Sequence, residues 1–319
     1  MRRIAAASLA ALAACAVVAG CGSSSPSSAN AAVTVKGSFE KSPKVTIPAE
    51  KASTNLVVST PIKGSGAALK SGDSPLADVA LYKWSGTKHS LLYSTFSTGP
   101  QIIPSQLGLP GLVTALKGAH LGSRVVAVLP PKYAYGTTGE SQLGVKGTDT
   151  LVWVIDLMQQ YAGTESASGP QLSSGGGGLP TVTAKSAGQA PTIAVNSKAA
   201  PPTALQVKTL IQGSGPKLTK GETVVAQYVG AIWRTGSVFA SSWPSSQQPS
   251  GQLFGFQLGG NVLAGWTQGL TGVPVGSRVL LVIPPSLGYG PAGGNASAGI
   301  QKTDTLVFVV DVIGSAPAV

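Results

Sequence analysis

Toward the C-terminus, short apolar runs alternate with turns rich in Gly and Pro. The stretch 258–290 reads LGGNVLAGWTQGLTGVPVGSRVLLVIPPSLGYG, and TDTLVFVVDV follows at 303–312. Val262 and Leu263 lead into a short helix predicted over 264–270, with Trp266 just inside it and Gly265 and Gly272 flanking it. After a turn at Gly276, residues 278–283 form an unbroken apolar run, the pattern of a buried strand. Pro284-Pro285 ends the run, because proline has no N–H to give a ladder. Residues 287–290 read as a loop, and 305–312, rich in β-branched residues, as a last strand. Upstream, 205–211 alternates up to the turn Gly213-Ser214-Gly215. Residues 222–232 form a second strand carrying Tyr228, 238–243 a third, and 253–258 an alternating fourth. No periodic stretch is long enough for a helix of ten or more residues. The class predicted is α+β, a curved antiparallel sheet wrapped on one short helix.

The pattern occurs twice. SPKV at 42–45 matches APTI at 190–193, and KGSG at 63–66 matches QGSG at 212–215. GSRV recurs at 122–125 and 276–279, and LPP at 129–131 matches IPP at 283–285. YG recurs at 135–136 and 289–290, and TDTLVW at 148–153 matches TDTLVF at 303–308. Each copy exceeds 100 residues, so each is a domain and not a solenoid unit. Between them, 163–188 contains four consecutive glycines from Gly175 to Gly178 and few charges, a composition that predicts a flexible linker. The expected organisation is a leader at 1–20, a tether at 21–32, a first domain at 33–161, a linker at 162–188 and a second domain at 189–314.

The leader has a basic start, Arg2-Arg3, then a charge-free, alanine-rich apolar run, the pattern of a secretory signal. It ends Val18-Ala19-Gly20-Cys21, which resembles a bacterial lipobox. Cys21 is therefore expected as a lipidated mature N-terminus, placing the protein on the extracytoplasmic face of the cell membrane. The apolar run is short for a spanning helix. Cys15 falls within the leader, so Cys21 is the sole mature cysteine and no intramolecular disulfide is expected. The Ser-, Ala- and Pro-bearing tether reaches on the order of 20 Å as a coil.

Of 319 residues, 43% are hydrophobic and 10% charged, with 42 Gly and 23 Pro, as suits turn-rich β domains and not a disordered chain. Net charge is +11, and +9 without Arg2 and Arg3, but no basic run exceeds two residues. Nucleic-acid binding would call for a basic cluster or stripe, so it is not expected; the scattered charge suits weak attraction to an anionic envelope. The two histidines, His89 and His120, lack partners at metal-ligand spacing, and a solvated or capping role is expected for both. Asp149/Asp156 and Asp304/Asp311 recur as pairs that could suggest acid–base work, but turn and strand-end roles are expected instead. Gly259-Gly260 precedes no long helix, and no phosphate-loop pattern exists. Neither a metal nor a cofactor is expected.

The motifs V-L-x-G-W-x-x-G-L, V-G-S-R-x-x-x-x-I-P-P, Y-G and T-L-V-F-V-V-D-V, in that order and spacing, resemble the FKBP-type peptidyl-prolyl cis-trans isomerases. The resemblance implies two FKBP-like domains. In the second, Trp266 would lie under the substrate proline ring, with Phe254, Val262, Leu263 and Phe308 as walls. Tyr228 and Tyr289 would stand at the rim with Phe239 beside them, and Ile300 on the loop before the last strand. The backbone N–H of Leu263 would donate to the substrate carbonyl. The implied ligands are proline-containing polypeptides and macrolides. Such a site needs no polar catalytic constellation, because a dry aromatic cup favours a twisted amide over a planar, polar one.

Two departures from the family pattern bear on activity. Ala240 follows Phe239, where the family has an aspartate that takes part in active-site hydrogen bonding. In the first copy Leu112 takes the tryptophan position and Gly99-Pro100-Gln101 replaces the phenylalanine-bearing strand, while Tyr82, Tyr93, Tyr135 and Trp153 remain. Two functions follow. One is a lipid-anchored isomerase, active through its second domain, that assists folding of exported proteins. The alternative is a catalytically weak or silent lipoprotein of the same fold, acting as a binding or scaffold module.

Overall fold

The computed structural model describes residues 32–318, apart from 106, 185–187 and 247–250. The expected leader and Cys21 lie outside the described residues.

In the first half, the hairpin β1 (Thr34–Lys36) and β2 (Lys44–Thr46) precedes β3 (Val57–Ile62), β4 (Ser74–Ser85), β5 (Lys88–Ser94) and β6 (Gln101–Ile102). Helix α1 (Pro110–Leu116), β7 (Arg124–Leu129) and β8 (Thr150–Tyr161) complete it. The sheet order is β3-β7-β8-β4-β5, all antiparallel, with β6 also on β4. Next come β9 (Gly175–Gly176), β10 (Leu179–Thr183) and β11 (Thr192–Ala194). The second half then repeats the plan with β12 (Gln206–Ile211), β13 (Thr223–Ile232), β14 (Val238–Ser241), β15 (Phe254–Gln257), α2 (Ala264–Leu270) and β16 (Arg278–Ile283). The short pair β17 (Gly294–Asn295) and β18 (Ile300–Gln301) precedes β19 (Leu306–Ala316). The order β12-β16-β19-β13-β14, with β15 on β13, matches that of the first half.

The apolar runs do the work the pattern predicted. All six residues of β16 are buried, because the helix covers one face of the sheet and other chain the opposite face. On the helix side Trp266 and Leu270 pack with Val279, Leu281 and Ile283. Gly265 makes that approach feasible, since a Cβ there would come within 2.5 Å of Ile283 Cγ2.

On the opposite face the expected flexible linker proves to be structure. β10 pairs with β11, and their Val182 and Ile193 are buried against Trp233, Trp243, Leu280 and Val307. The hairpin β1–β2 does the same for the first sheet, packing Val35 and Val45 with Trp84, Val126 and Val152. Each cover is tied by an indole: Trp84 Nε1 donates to Glu50 O at 2.8 Å and Trp233 Nε1 to Ala199 O at 2.9 Å. The glycines at 175–178 all have positive φ and turn the chain into β10.

The aspartates also differ from expectation. Asp156 and Asp311 sit within strands paired on both sides, not at their ends. Each is buried and accepts from an equally buried arginine, Arg124 Nε to Asp156 and Arg278 Nε to Asp311, both at 2.6 Å. Their second carboxylate oxygens accept backbone N–H groups of the preceding segments, Glu40 at 2.7 Å and Ala167 at 2.8 Å. A buried ion pair persists only when its remaining valences are satisfied, and here the covering segments contribute to that. Asp149 and Asp304 do lie in turns, accepting the N–H of Lys146 and of Gln301; Asp304 also pairs with Arg234. His89 and His120 are both exposed, and among the described residues no group of His, Cys, Asp or Glu could hold a metal ion.

Candidate functional site

β13, β15, α2 and β19 converge beside a cavity of about 570 Å³ in the second half. Tyr228, Phe239, Phe254, Val262, Leu263, Trp266, Tyr289 and Phe308 all line it, so the structure brings together eight of the nine residues expected there. Ile300 is the exception. It is 3% exposed and lies in the core behind the cavity, because β18 turns its side chain inward.

Trp266 is the hub. Its ring meets Tyr228, Phe254, Phe256 and Phe308 edge-to-face at centroid distances of 5.5, 5.8, 5.2 and 5.2 Å. Such T-shaped pairs are favoured over face-to-face stacking by ring quadrupoles. Phe239 adds a further edge contact to Phe308 at 5.6 Å. Gly230 makes that contact feasible: a Cβ there would come within 2.7 Å of Phe308 and 2.8 Å of Phe239. Phe256, stacked on Phe254 at 5.2 Å, belongs to the site although the sequence reading did not place it there. Its position two residues after Phe254 on one strand was the available signal, since i and i+2 share a face.

Polar groups at the cavity are few. Burial raises the Tyr228 phenol above its ordinary range, and nearby Tyr289 adds to the shift. Tyr228 therefore remains a neutral donor, and no partner among the described residues takes up its hydroxyl. Ala240, at the aspartate position, lines the cavity and has no carboxylate to offer. Leu263 caps α2; its carbonyl accepts from Trp266 N–H at 2.9 Å, while its own N–H has no partner among the described residues.

The first half has no such cup. Asp78 opposes Asp156 as Gln227 opposes Asp311, so Val79 stands where the second half has Tyr228. By the same register Leu81 replaces Gly230, Leu92 replaces Phe239, and Gln101 replaces Phe254. Tyr93 falls at the Ala240 position, and Tyr82 faces the hairpin side of its sheet, so neither restores an aromatic wall. A smaller cavity of about 270 Å³ does lie beside α1, among Ile103, Leu109, Leu112 and Leu116. Its lining has no aromatic residue, includes Lys70, Asp73 and Lys117, and holds none of the predicted site residues.

The site is thus an apolar aromatic cavity set between a short helix and a curved antiparallel sheet. The chain belongs to the FKBP-type peptidyl-prolyl cis-trans isomerase family, whose model matches residues 94–158 and 215–313, just over half of the sequence. It is similar to the FK506-binding protein of Streptomyces anulatus, 40% identical over 114 residues that cover 35% of this chain and 87% of that protein. It is also similar to a probable FK506-binding protein of Corynebacterium glutamicum, 39% identical over 115 residues covering 36% of this chain and 89% of the other. The crystal structure of the three FKBP domains of wheat FKBP73 aligns with 82% of this chain and 94% of its own, at 18% identity and a TM-score of 0.31.

Proposed function

We propose that the second half of the chain catalyses cis–trans isomerisation of X–Pro bonds in exported proteins, at the outer face of a membrane to which Cys21 is joined by lipid. The observation that carries the catalytic part is the cup around Trp266, walled by Tyr228, Phe239, Phe254, Tyr289 and Phe308 with no charged group lining it. Rotation about an X–Pro bond faces a barrier of about 18–20 kcal/mol and takes tens of seconds unaided. The planar amide is polar and resonance-stabilised; the twisted amide has lost much of that charge separation. A water-poor apolar cup therefore stabilises the twisted form relative to the planar one, and only such differential binding accelerates the step. The Leu263 N–H and the Tyr228 hydroxyl, both without partners among the described residues, would hold the substrate carbonyls. The same cavity would accept a macrolide, in keeping with the names of the two bacterial relatives.

In this reading the chain holds two FKBP-like domains, each with one α-helix, and the first has kept the fold and lost the cup. The test is the cis–trans exchange rate of an X–Pro peptide, measured by NMR with the full chain and with Trp266→Leu. Catalysis by the parent protein that collapses in the variant supports the proposal. Ala240 favours a second reading, a binding module without turnover. Saturable peptide binding with no acceleration of exchange would establish that instead.

A further inference from the structure

We propose that Ile102, in the first half, is a positioning residue for the aromatic cup of the second. This rests on the isomerase reading of that cup. β15 carries Phe254 and Phe256, two of the four rings around Trp266, yet it is four residues long and among the described residues pairs only with β13. A short edge strand held on one side is a weak mount for a wall that must keep its shape. Alternation along the strand turns Phe254 and Phe256 toward Trp266 and leaves Gly255 facing the other way.

The first half approaches that outward face at Ile102, although Gly255 itself stays exposed. A Cβ at Gly255 would sit 3.2 Å from Ile102 Cγ1 and 3.5 Å from the Ile102 backbone N. Gly255 is not among the glycines with positive φ, so its backbone would accept a side chain, and the tight approach of Ile102 is what opposes one. Two hydrogen bonds extend the contact to one side: Thr223 Oγ1 donates to Pro100 O at 3.0 Å, and Gln257 Nε2 to Thr98 O at 3.4 Å. Thr223 and Gln257 are themselves register partners in the β13–β15 ladder. Thr98, Pro100 and Ile102 therefore run along β15 as a brace. Behind them Leu76, Tyr161, Val225, Leu253 and Ala316 are buried together, with Ile102, Met158 and Ile313 packed on them.

The geometry is that of a repeat meeting itself. By register Ile102 corresponds to Gly255, Leu76 to Val225, Met158 to Ile313 and Tyr161 to Ala316. Matching patches therefore face each other, as in an isologous dimer interface. Two of the pairs, Ile102 with Gly255 and Tyr161 with Ala316, differ strongly in size, and in both the first half supplies the bulk and the second the gap. Without a cup of its own, the first half retains a role in the chemistry of its partner.

The experiment uses the full chain with an X–Pro peptide, reading Kd by titration and KM and kcat by exchange kinetics, at a temperature where circular dichroism shows every variant folded. Ile102→Ala should weaken Kd and raise KM about 3- to 10-fold with kcat nearly unchanged, because a displaced wall loses contacts common to ground and transition states. Ile102→Val should restore both to within about twofold. Gly255→Ala alone should also weaken binding, and combined with Ile102→Ala should recover part of the loss, since the new methyl group enters the space vacated; contacting residues show such coupling. A folded Ile102→Ala protein with parental Kd and KM overturns the proposal, whatever its melting temperature. If the parent protein binds peptide without accelerating exchange, the isomerase reading fails, and the Kd series still decides the brace.

Discussion

Ala240 bears on turnover through the carboxylate it lacks. It lines the cavity next to Phe239, and the Tyr228 hydroxyl has no acceptor among the described residues. Ala240→Asp would add a carboxylate able to fix that hydroxyl before substrate arrives. A charge-assisted hydrogen bond contributes roughly 1.5–3 kcal/mol, of which only the share felt more strongly in the transition state speeds turnover. The expected gain in exchange rate is about 3- to 30-fold; a folded aspartate variant no faster than the parent would show that Ala240 does not limit catalysis. Trp266→Leu should weaken ligand binding by about 1–3 kcal/mol through lost buried aromatic area, read by titration. In the first half, burial raises Asp78 from 3.8 to about 6; Asp156 and Glu40 add to the rise, and the Thr95 hydroxyl and Arg124 oppose it. Its folded-state pKa exceeds the unfolded value, so the folded protein holds the proton longer. Stability should therefore fall as pH rises from about 4 to about 6, and not recover above. Gln227 occupies the same register in the second half without a charge and accepts from Ser242 as Asp78 does from Thr95. Asp78→Asn should accordingly flatten the pH dependence of the denaturation midpoint over that window. An unchanged slope would place the carboxylate's desolvation cost elsewhere.

The elements differ in how plainly the sequence shows them, and the reason is where each finds its burial partners. Helix 264–270 and strand 278–283 were read with their observed bounds, because each apolar run is bracketed by Gly or Pro and the two pack on each other within one short stretch of chain. The aromatic set was legible through the family resemblance of its motifs, apart from Ile300, whose inward turn depends on β18, and Phe256. Tyr82 and Tyr93 misled, because tyrosine at roughly the right distance says nothing about register: one residue of slip moves a side chain to the other face. The hairpin β10–β11 was illegible. Its strands are five and three residues long, it follows a run of glycines, and Leu179, Val182 and Ile193 are its only large apolar residues. Their value appears only when the outer face of the second sheet exists to receive them. A flexible linker would tolerate substitution there, whereas a cover would not. Ile193→Ala should cost about 2–3 kcal/mol by large-to-small truncation in a packed site, measured by urea denaturation; a change within a few tenths would return the segment to linker status.

At the scale of the whole molecule, the two halves share a buried cluster, and this decides how the protein unfolds. Val225 lies on β13, in the middle of the second sheet, and Leu76 on β4, in the middle of the first; both are fully buried. Separating the halves would expose them together with Leu253 and Ala316. Tyr161 crosses the junction: it ends β8, is hydrogen-bonded to Gln159, and its ring lies where a Cβ on Gly314 would have to go. Burial, with some help from Glu165, raises its phenol well above the ordinary range, as expected of a hydroxyl in an apolar seam. Domains joined by small polar interfaces unfold independently, while a hydrophobic seam couples them. The full chain should therefore melt in a single calorimetric transition, with van't Hoff and calorimetric enthalpies close to equal. Tyr161→Ala opens the seam without touching either helix or the aromatic cup. It should split the transition in two, the lower belonging to whichever half depends more on its neighbour. The brace on β15 makes that the second half, so exchange catalysis should disappear with the lower step. Two separated transitions in the parent protein would mean that the halves are coupled only through the chain, and that the cup stands without the support of the first half.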